Sequence, residues 1–103
     1  MFNLGVLSGV IDKELTIVDT NSTDYKIASM VLSSTRNYPD IDGNFLKDYY
    51  EITFYNQTAE YYIDKFKVNE KVIIRGKLCQ DNYSKDDKTY YHLKFIGETI
   101  SKV

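Results

Sequence analysis

Strict alternation in the segment YYEITFY constrains the fold of this chain more than any other feature. Tyr50, Ile52 and Phe54 fall on one face, and Tyr49 and Tyr55 fall on the other. This is the pattern of a strand with one face turned to a core. We therefore expect Tyr50 to pack inward. Tyr49 and Tyr55 are expected outside, roughly 20 Å apart at the usual strand rise.

The spacing of apolar residues changes directly after this strand. Four of them follow the i, i+3, i+4, i+7 pattern of a helix face: Ala59, Tyr62, Ile63 and Phe66. The segment 58–67 is therefore predicted to be a short helix. Thr58 or Asn56 is the expected cap at its start, and Asn69 is expected to adopt a left-handed backbone just past its end.

Further strand patterns lie on both sides of this strand–helix unit. They cover 3–11, 14–19, 25–34, 71–80 and 90–100, and the second is read as a short strand or a continuation of the first. Expected core residues on three of them are Ala28, Met30, Leu32, Val72, Ile74, Leu78, Tyr91, Leu93 and Phe95. The segments 37–44 and 81–89 are rich in Asp and Asn, the first also holds the only proline and a glycine, and both are predicted to be loops.

The order of these elements predicts a fold class. The chain is mainly β, with one short helix between the third and fourth long strands. Five long strands in this order, at this length, fit the five-stranded Greek-key OB-fold barrel. Such barrels bind oligonucleotides or oligosaccharides on one face, although fold alone is weak evidence for function.

Length and composition favour one domain over residues 1–103, and 43% of the residues are hydrophobic. The net charge of −2 argues against a ligand held by electrostatics alone. The apolar N-terminus has no basic region before Lys13 and is too short to span a membrane, so we expect a cytoplasmic protein without a membrane partner.

No pattern of catalytic or metal-binding residues stands out. Cys79 and His92 are single residues of their types and lack an orienting motif, so we expect neither an enzyme nor a zinc site. The segment DIDGN with Glu51 resembles a calcium loop, but its glycine falls at the wrong position and no helices flank it. We expect no metal and no cofactor.

The chain resembles bacterial-type single-stranded DNA-binding proteins over nearly its whole length. VLSGVIDKEL is similar to the opening strand of that family, and IASMVLSSTR resembles its second strand. DYYEITFYNQTAEYYIDKFKVNEKVIIRGKL resembles the family's strand, short helix, turn and next strand, and NYSKDDKTYYHLKFIGETI resembles its final hairpin. The order and spacing of the segments carry more weight than any one motif.

This resemblance implies a set of base-stacking residues. Aromatic residues on the barrel face stack on bases in the family, and those positions correspond here to Tyr38, Tyr49, Tyr55 and Tyr83. Stacking contributes about 1–3 kcal/mol per base and tolerates any sequence. Each tyrosine also fits an ordinary place at a sheet edge. Candidate phosphate contacts are Arg36, Lys47, Arg75, Lys77, Lys85 and Lys88.

Some residues depart from the family pattern. Glu51 lies between the two outward tyrosines, where it would repel phosphate, and basic residues around the last hairpin are sparse. We therefore expect modest affinity and weak salt dependence. The chain ends at Val103, without the acidic tip by which the family commonly recruits replication and repair enzymes.

Two functions follow as expectations. The first is non-sequence-specific binding of single-stranded DNA in replication, recombination or repair, by a homodimer or homotetramer paired through its first strand. Replication proteins are then candidate partners. The alternative is an accessory or scaffold protein that keeps the OB barrel and uses the tyrosine face for protein contacts, which the acidic balance and Glu51 favour.

Overall fold

The computed structural model of the protein describes residues 2–18, 25–80, 83–90 and 92–103. Within them lie seven strands and one helix. The strands are β1 (Gly5–Val18), β2 (Ile27–Thr35), β3 (Lys47–Tyr55), β4 (Lys71–Gln80), β5 (Tyr83–Lys85), β6 (Lys88–Tyr90) and β7 (Leu93–Lys102). The helix, α1 (Asn56–Tyr62), lies between β3 and β4, as predicted.

Five of the strands close into a barrel. Their order is β1-β2-β3-β7-β4, and β4 pairs back to β1. Every neighbouring pair is antiparallel except β3 and β7, which run parallel. This arrangement confirms the prediction of a five-stranded OB-fold barrel with one helix after the third strand.

The first strand is what allows the barrel to close. β1 is continuous over 14 residues, so the predicted second short strand is a continuation of the first. Its first half pairs with β4 and its second half with β2, and irregularities between Ile11 and Thr16 bend it from one neighbour to the other. Gly9 permits a close crossing, since a Cβ there would lie 2.1 Å from the carbonyl oxygen of Ser33.

The core fills the barrel with inward-facing aliphatic and aromatic side chains. The largest fully buried ones are Phe54, Ile11, Met30, Leu32, Ile52, Ile74 and Val72. They alternate with outward residues along each strand, as the sequence pattern predicts. Burial of one such side chain stabilises the fold by about 1.5–3 kcal/mol.

Helix α1 closes one end of the barrel and is shorter than predicted. Ala59 is fully buried, and Tyr62, Ile63 and Phe66 pack against the core, so all four residues pack as predicted, although Ile63 and Phe66 lie beyond the end of the helix. The predicted side-chain cap is wrong, because no side chain bonds the first N–H groups of the helix. Asn56 instead bonds Lys26, the residue before β2, donating its N–H to the Lys26 carbonyl and accepting the Lys26 N–H at its side chain.

The turn after the helix and the last hairpin complete the fold. Asn69 has a φ of 74°, the left-handed backbone that the sequence predicts, although α1 has already ended at Tyr62. The predicted polar loop 81–89 contains the hairpin β5–β6. Asp86 and Asp87 form its tip with φ of 53° and 62°, as a two-residue turn with two left-handed residues requires.

Candidate functional site

The outer face of β3 carries the residues that the sequence singled out. Ile52 and Phe54 are buried inside the barrel, so Tyr49, Glu51 and Tyr55 alternate on the other side. Tyr49 is 60% exposed, whereas Tyr55 is half-buried. Two exposed or half-exposed rings on one strand face can each offer a surface to a planar ligand.

A polar groove of about 420 Å³ runs along this face, with β3 at its centre. Its walls come from β2 and β7, which flank β3 in the barrel. Thr53 lies at its floor and is 5% exposed. The lining residues are Val18, Ile27, Ser29, Glu51, Thr53, His92, Leu93 and Lys94.

An apolar cleft of about 520 Å³ adjoins the polar groove at the open end of the barrel. The two share Glu51 and Leu93 in their linings. Among the described residues that line the apolar cleft, Glu51 is the one with a charge. The full lining is Gly5, Val6, Leu7, Tyr49, Tyr50, Glu51, Leu78, Leu93 and Phe95.

Tyr55 contacts an aromatic ring and a cation, and the cation belongs to a residue that lines the polar groove. The Tyr25 ring lies with its centroid 5.9 Å from that of Tyr55, tilted by 40°. The Lys94 ammonium lies 5.2 Å from the Tyr55 ring centroid, within the range of a cation–π contact. The arrangement places a positive charge beside a half-buried aromatic ring, which suits a ligand with a flat base and a phosphate.

Arg36 and Tyr38 lie at the end of the β2–β3 ladder where Tyr49 also lies. Tyr38 is 58% exposed. Arg36 forms a bidentate pair with Asp48, donating from Nε at 3.0 Å and from a terminal nitrogen at 2.9 Å. This pair raises the pKa of Arg36, with a smaller contribution from Tyr38, and lowers the pKa of Asp48. A phosphate on Arg36 must therefore compete with Asp48.

The other predicted cations are spread over the barrel. Lys47 begins β3 opposite Thr35 and is exposed beside the Tyr49 end. Arg75 and Lys77 are exposed on β4, which β7 separates from β3, so they lie outside the β2–β3 face. Lys85 and Lys88 are exposed and lie opposite each other in the backbone register at the tip of the β5–β6 hairpin.

The fourth predicted stacking residue, Tyr83, begins β5 opposite Tyr90. Its side chain lies outside what the structure describes, as does Tyr91, which the sequence placed in the core. The hairpin that carries Tyr83 leaves the barrel next to the paired residues Gln80 and Leu93. Leu93 lines both the polar groove and the apolar cleft, so the base of the hairpin borders the candidate site.

Sequence reasoning missed several residues of this site. Tyr50 was expected inside, and it is 37% exposed at the mouth of the barrel. Leu78 and Leu93, also expected in the core, are 46% and 75% exposed, because the barrel ends beside them. Tyr25 and Lys94 were not singled out. Lys94 had a signal, since it alternates with buried Phe95, but its contact with Tyr55 depends on β7 pairing with β3.

Two features of the described residues bear on other kinds of function. No group of three or more His, Cys, Asp or Glu side chains comes together as a metal site within the described residues. The same part of the chain has no helix with the length and apolar character needed to cross a membrane.

Comparison with known proteins gives a consistent result. The model of the Single-strand binding protein family matches residues 2–103. A single-stranded DNA-binding protein of Aquifex aeolicus is 22% identical over 102 residues, which are 97% of this chain and 66% of that protein. The chain thus spans just under two thirds of that relative.

Solved structures share the fold. A Plasmodium falciparum SSB in complex with ssDNA superposes with a TM-score of 0.74 and 22% identity, over 100% of this chain and 96% of that one. A deletion mutant of the single-stranded DNA binding protein from Thermus aquaticus gives 0.75 and 17% identity, over 99% of this chain and 50% of that one. With the family match over almost every residue, the chain belongs to the single-strand binding protein family.

Proposed function

We propose that this protein binds single-stranded DNA without requiring a particular sequence, by stacking bases on surface tyrosines. The observation that carries the proposal is the outer face of β3. There Tyr49 is 60% exposed, and the Tyr55 ring contacts the Tyr25 ring and the Lys94 ammonium. Base–aromatic stacking tolerates every base, because each base has a π-face. The family membership and the names of the relatives support the same ligand.

Tyr38 and Tyr83 extend the stacking surface in this proposal. Tyr38 is exposed near the Tyr49 end of the β2–β3 ladder, and Tyr83 stands on the hairpin that leaves the barrel beside Leu93. Phosphates then contact the cations nearest this path. The candidates are Arg36, Lys47, Lys85, Lys88 and Lys94, with Arg75 and Lys77 reached by a strand that continues around the barrel.

Charge limits the strength of this binding. The net charge is −2, Arg36 is paired with Asp48, and Glu51 stands between the two stacking tyrosines. Few phosphate contacts mean that affinity falls gently as salt is added, since each neutralised phosphate contributes to the salt dependence. Stacking rather than counterion release is therefore the main source of affinity.

The proposal has further parts that follow from the family. The protein acts without catalysis, in replication, recombination or repair, as a homodimer or homotetramer in the cytoplasm, and replication proteins are its candidate partners. The exposed outer side of β1, with Val6 at 58% exposure, supports pairing through the first strand. Sedimentation of the purified protein at several concentrations tests the oligomer.

The double substitution Tyr49→Ala and Tyr55→Ala tests the stacking site. Losing two stacked bases at about 1 kcal/mol or more each weakens oligo-dT binding by at least ~30-fold. Tyr61→Ala is the matched control, because Tyr61 is 61% exposed on α1, away from this face, and its loss leaves the affinity unchanged. Fluorescence anisotropy measures the affinities and circular dichroism checks the fold. Unchanged affinity in the double variant contradicts the site.

Protein contact on the same face is a second candidate function. The apolar cleft, with Leu93 at 75% exposure and a carboxylate at its rim, favours it. A pull-down treated with nuclease separates the two functions. Partners that stay bound after nuclease, and that are lost with Leu93→Ser, support protein contact, whereas partners released by nuclease are tethered through nucleic acid.

A further inference from the structure

Glu51 is out of place on a surface that is meant to bind a polyanion. It lies on the outer face of β3, between the two tyrosines proposed to stack on bases. Its side chain is exposed and forms no ion pair with any residue that the structure describes. Neither burial nor an ion pair therefore accounts for a carboxylate here, although Lys94 lines the same polar groove.

The position of Glu51 brings it to the edge of a stacked base. Residues two apart on a strand face are separated by about 6.6 Å, so Glu51 is within side-chain reach of a base lying on Tyr49. Such a base enters the apolar cleft of about 520 Å³, a volume in the range of small-ligand sites. Glu51 is the charged group of that cleft among its described lining residues, and its other polar side chains are Tyr49 and Tyr50.

The chemistry of a carboxylate selects among the bases. Its two oxygens only accept hydrogen bonds. Guanine presents two adjacent donors, N1–H and N2–H, on its Watson–Crick edge, which is free in a single strand. Thymine has a carbonyl on each side of its N3–H, and cytosine and adenine place an acceptor beside their amino group. A paired donor edge fits a carboxylate best, as guanidinium does in bidentate ion pairs.

We propose that Glu51 is a specificity-determining residue that accepts hydrogen bonds from N1–H and N2–H of a guanine stacked on Tyr49. This inference rests on the proposed binding of single-stranded DNA, and deepens it. The base-binding position at Tyr49 then prefers guanine, while the other base-binding positions accept any base. It also gives a reason for the negative charge, because the base offsets the repulsion that Glu51 exerts on phosphate.

Three labelled oligonucleotides of equal length test this. One is all thymidine, the second carries isolated deoxyguanosines between thymidine runs, and the third carries deoxyinosine at the same places. Inosine keeps the purine ring and N1–H but lacks the 2-amino group. We expect the guanine oligonucleotide to bind about 5-fold more tightly than oligo-dT, the low end for a bidentate base contact at an exposed site, and inosine to lose most of that gain.

Glu51→Gln and Glu51→Thr complete the test, and both suit an exposed strand position. In each variant the guanine oligonucleotide and oligo-dT are expected to bind with equal affinity. Each variant also binds oligo-dT more tightly than the parent, because a repulsive charge is gone. The control is Glu98→Gln, which removes the same charge from an exposed residue near α1. It should still bind the guanine oligonucleotide more tightly than oligo-dT.

The outcomes separate this inference from the function beneath it. The role of Glu51 is overturned if the parent protein binds the guanine and inosine oligonucleotides with equal affinity. It is also overturned if both Glu51 variants still bind the guanine oligonucleotide more tightly than oligo-dT. If oligo-dT binding still depends on Tyr49 and Tyr55 in that case, the proposed function stands. If none of the three oligonucleotides binds, the proposed function and the inference both fail.

Discussion

The contact between Lys94 and Tyr55 shows how much of this site depends on single residues. Lys94 comes from β7, Tyr55 ends β3, and the Tyr25 ring also contacts Tyr55. No motif joins these three positions in the sequence. The parallel pairing of β3 and β7 brings Lys94 to the polar groove, beside the ring that is proposed to carry a base.

Replacing Lys94 with Gln is expected to weaken oligo-dT binding and to flatten its salt dependence. One phosphate contact fewer lowers the slope of log affinity against log salt by about 0.7 for a single strand. A salt titration by anisotropy measures both effects. Lys65→Gln is the control, because Lys65 makes a similar contact with the Tyr61 ring, at 3.5 Å, on the helix side. An unchanged slope in the Lys94 variant would exclude it from phosphate contact.

The Arg36–Asp48 pair gives a prediction about pH. Hydrogen bonds from Arg36 hold the pKa of Asp48 below its ordinary value of 3.8, so the folded state binds the proton of Asp48 less readily than the unfolded state. The pair therefore stabilises the fold above about pH 4, and this contribution is lost as the pH falls through the lowered pKa of the folded state.

Asp48→Asn tests this pair. The variant should melt at a lower temperature than the parent near neutral pH, and the two melting temperatures should converge as the pH falls below 3.8. Asp42→Asn, with the same charge change in the exposed loop before β3, should show no such convergence. A difference between Asp48→Asn and the parent that stays constant with pH would show that the ion pair contributes nothing to stability.

At the level of strands and helices, periodicity was a reliable guide where both faces of an element had distinct partners. In β3 the inward set of Ile52 and Phe54 follows directly from alternation. Tyr50 belongs to the same set and is nevertheless 37% exposed, because alternation gives the face of a strand and not the point where the barrel ends. The same physical reason applies to Leu78 and Leu93.

The helix start illustrates a second limit of sequence reasoning. Asn56 is a good capping residue by type, but in the structure its polar groups bond the backbone of Lys26, the residue before β2. Tertiary pairing thus replaced the local cap. The packing of Ala59 and Tyr62 from α1 was predictable from spacing within the segment, whereas Ile63 and Phe66 reach the core from the turn after the helix.

Gly97 gives a prediction about the packing of β7 on β3. A Cβ at this position would lie 2.2 Å from the Phe54 ring, which is fully buried. Gly97→Ala should therefore lower the free energy of unfolding by about 1–3 kcal/mol, the usual cost of overpacking. Urea denaturation measures it, with Glu98→Ala on the exposed side of the same strand as the control. Equal stability of the two variants would mean that Phe54 moves freely.

At the scale of the whole molecule, the order of elements was enough to predict the barrel, but not to predict which charges share a face. Tyr49 and Tyr55 could be placed on one side because both stand on β3. Arg75 and Lys77 could not be excluded from that side, since only the insertion of β7 between β3 and β4 separates them from it. A face that combines β2 and β3 with the distant strand β7 is a property of the closed barrel.

The closed barrel also determines how much base stacking and phosphate contact each contribute to the proposed binding of single-stranded DNA. Its β2–β3–β7 side presents tyrosines, an apolar cleft, Glu51 and Lys94, and the other candidate cations lie at the ends of this side, on β4 or on the β5–β6 hairpin. Such a surface binds bases more strongly than it binds phosphates. The protein should therefore hold single strands with moderate affinity and little dependence on salt.

The most direct measurement is the fluorescence anisotropy of a labelled oligo-dT titrated with the purified protein, first at low salt and again near 0.2 M. Oligo-dT has no structure to melt, so the titration reports stacking and backbone charge alone. Saturable binding that weakens far less than the ~10³-fold or more seen with many phosphate contacts is the expected result. No binding at low salt would contradict single-strand binding, and a steep loss with salt would contradict a site led by stacking.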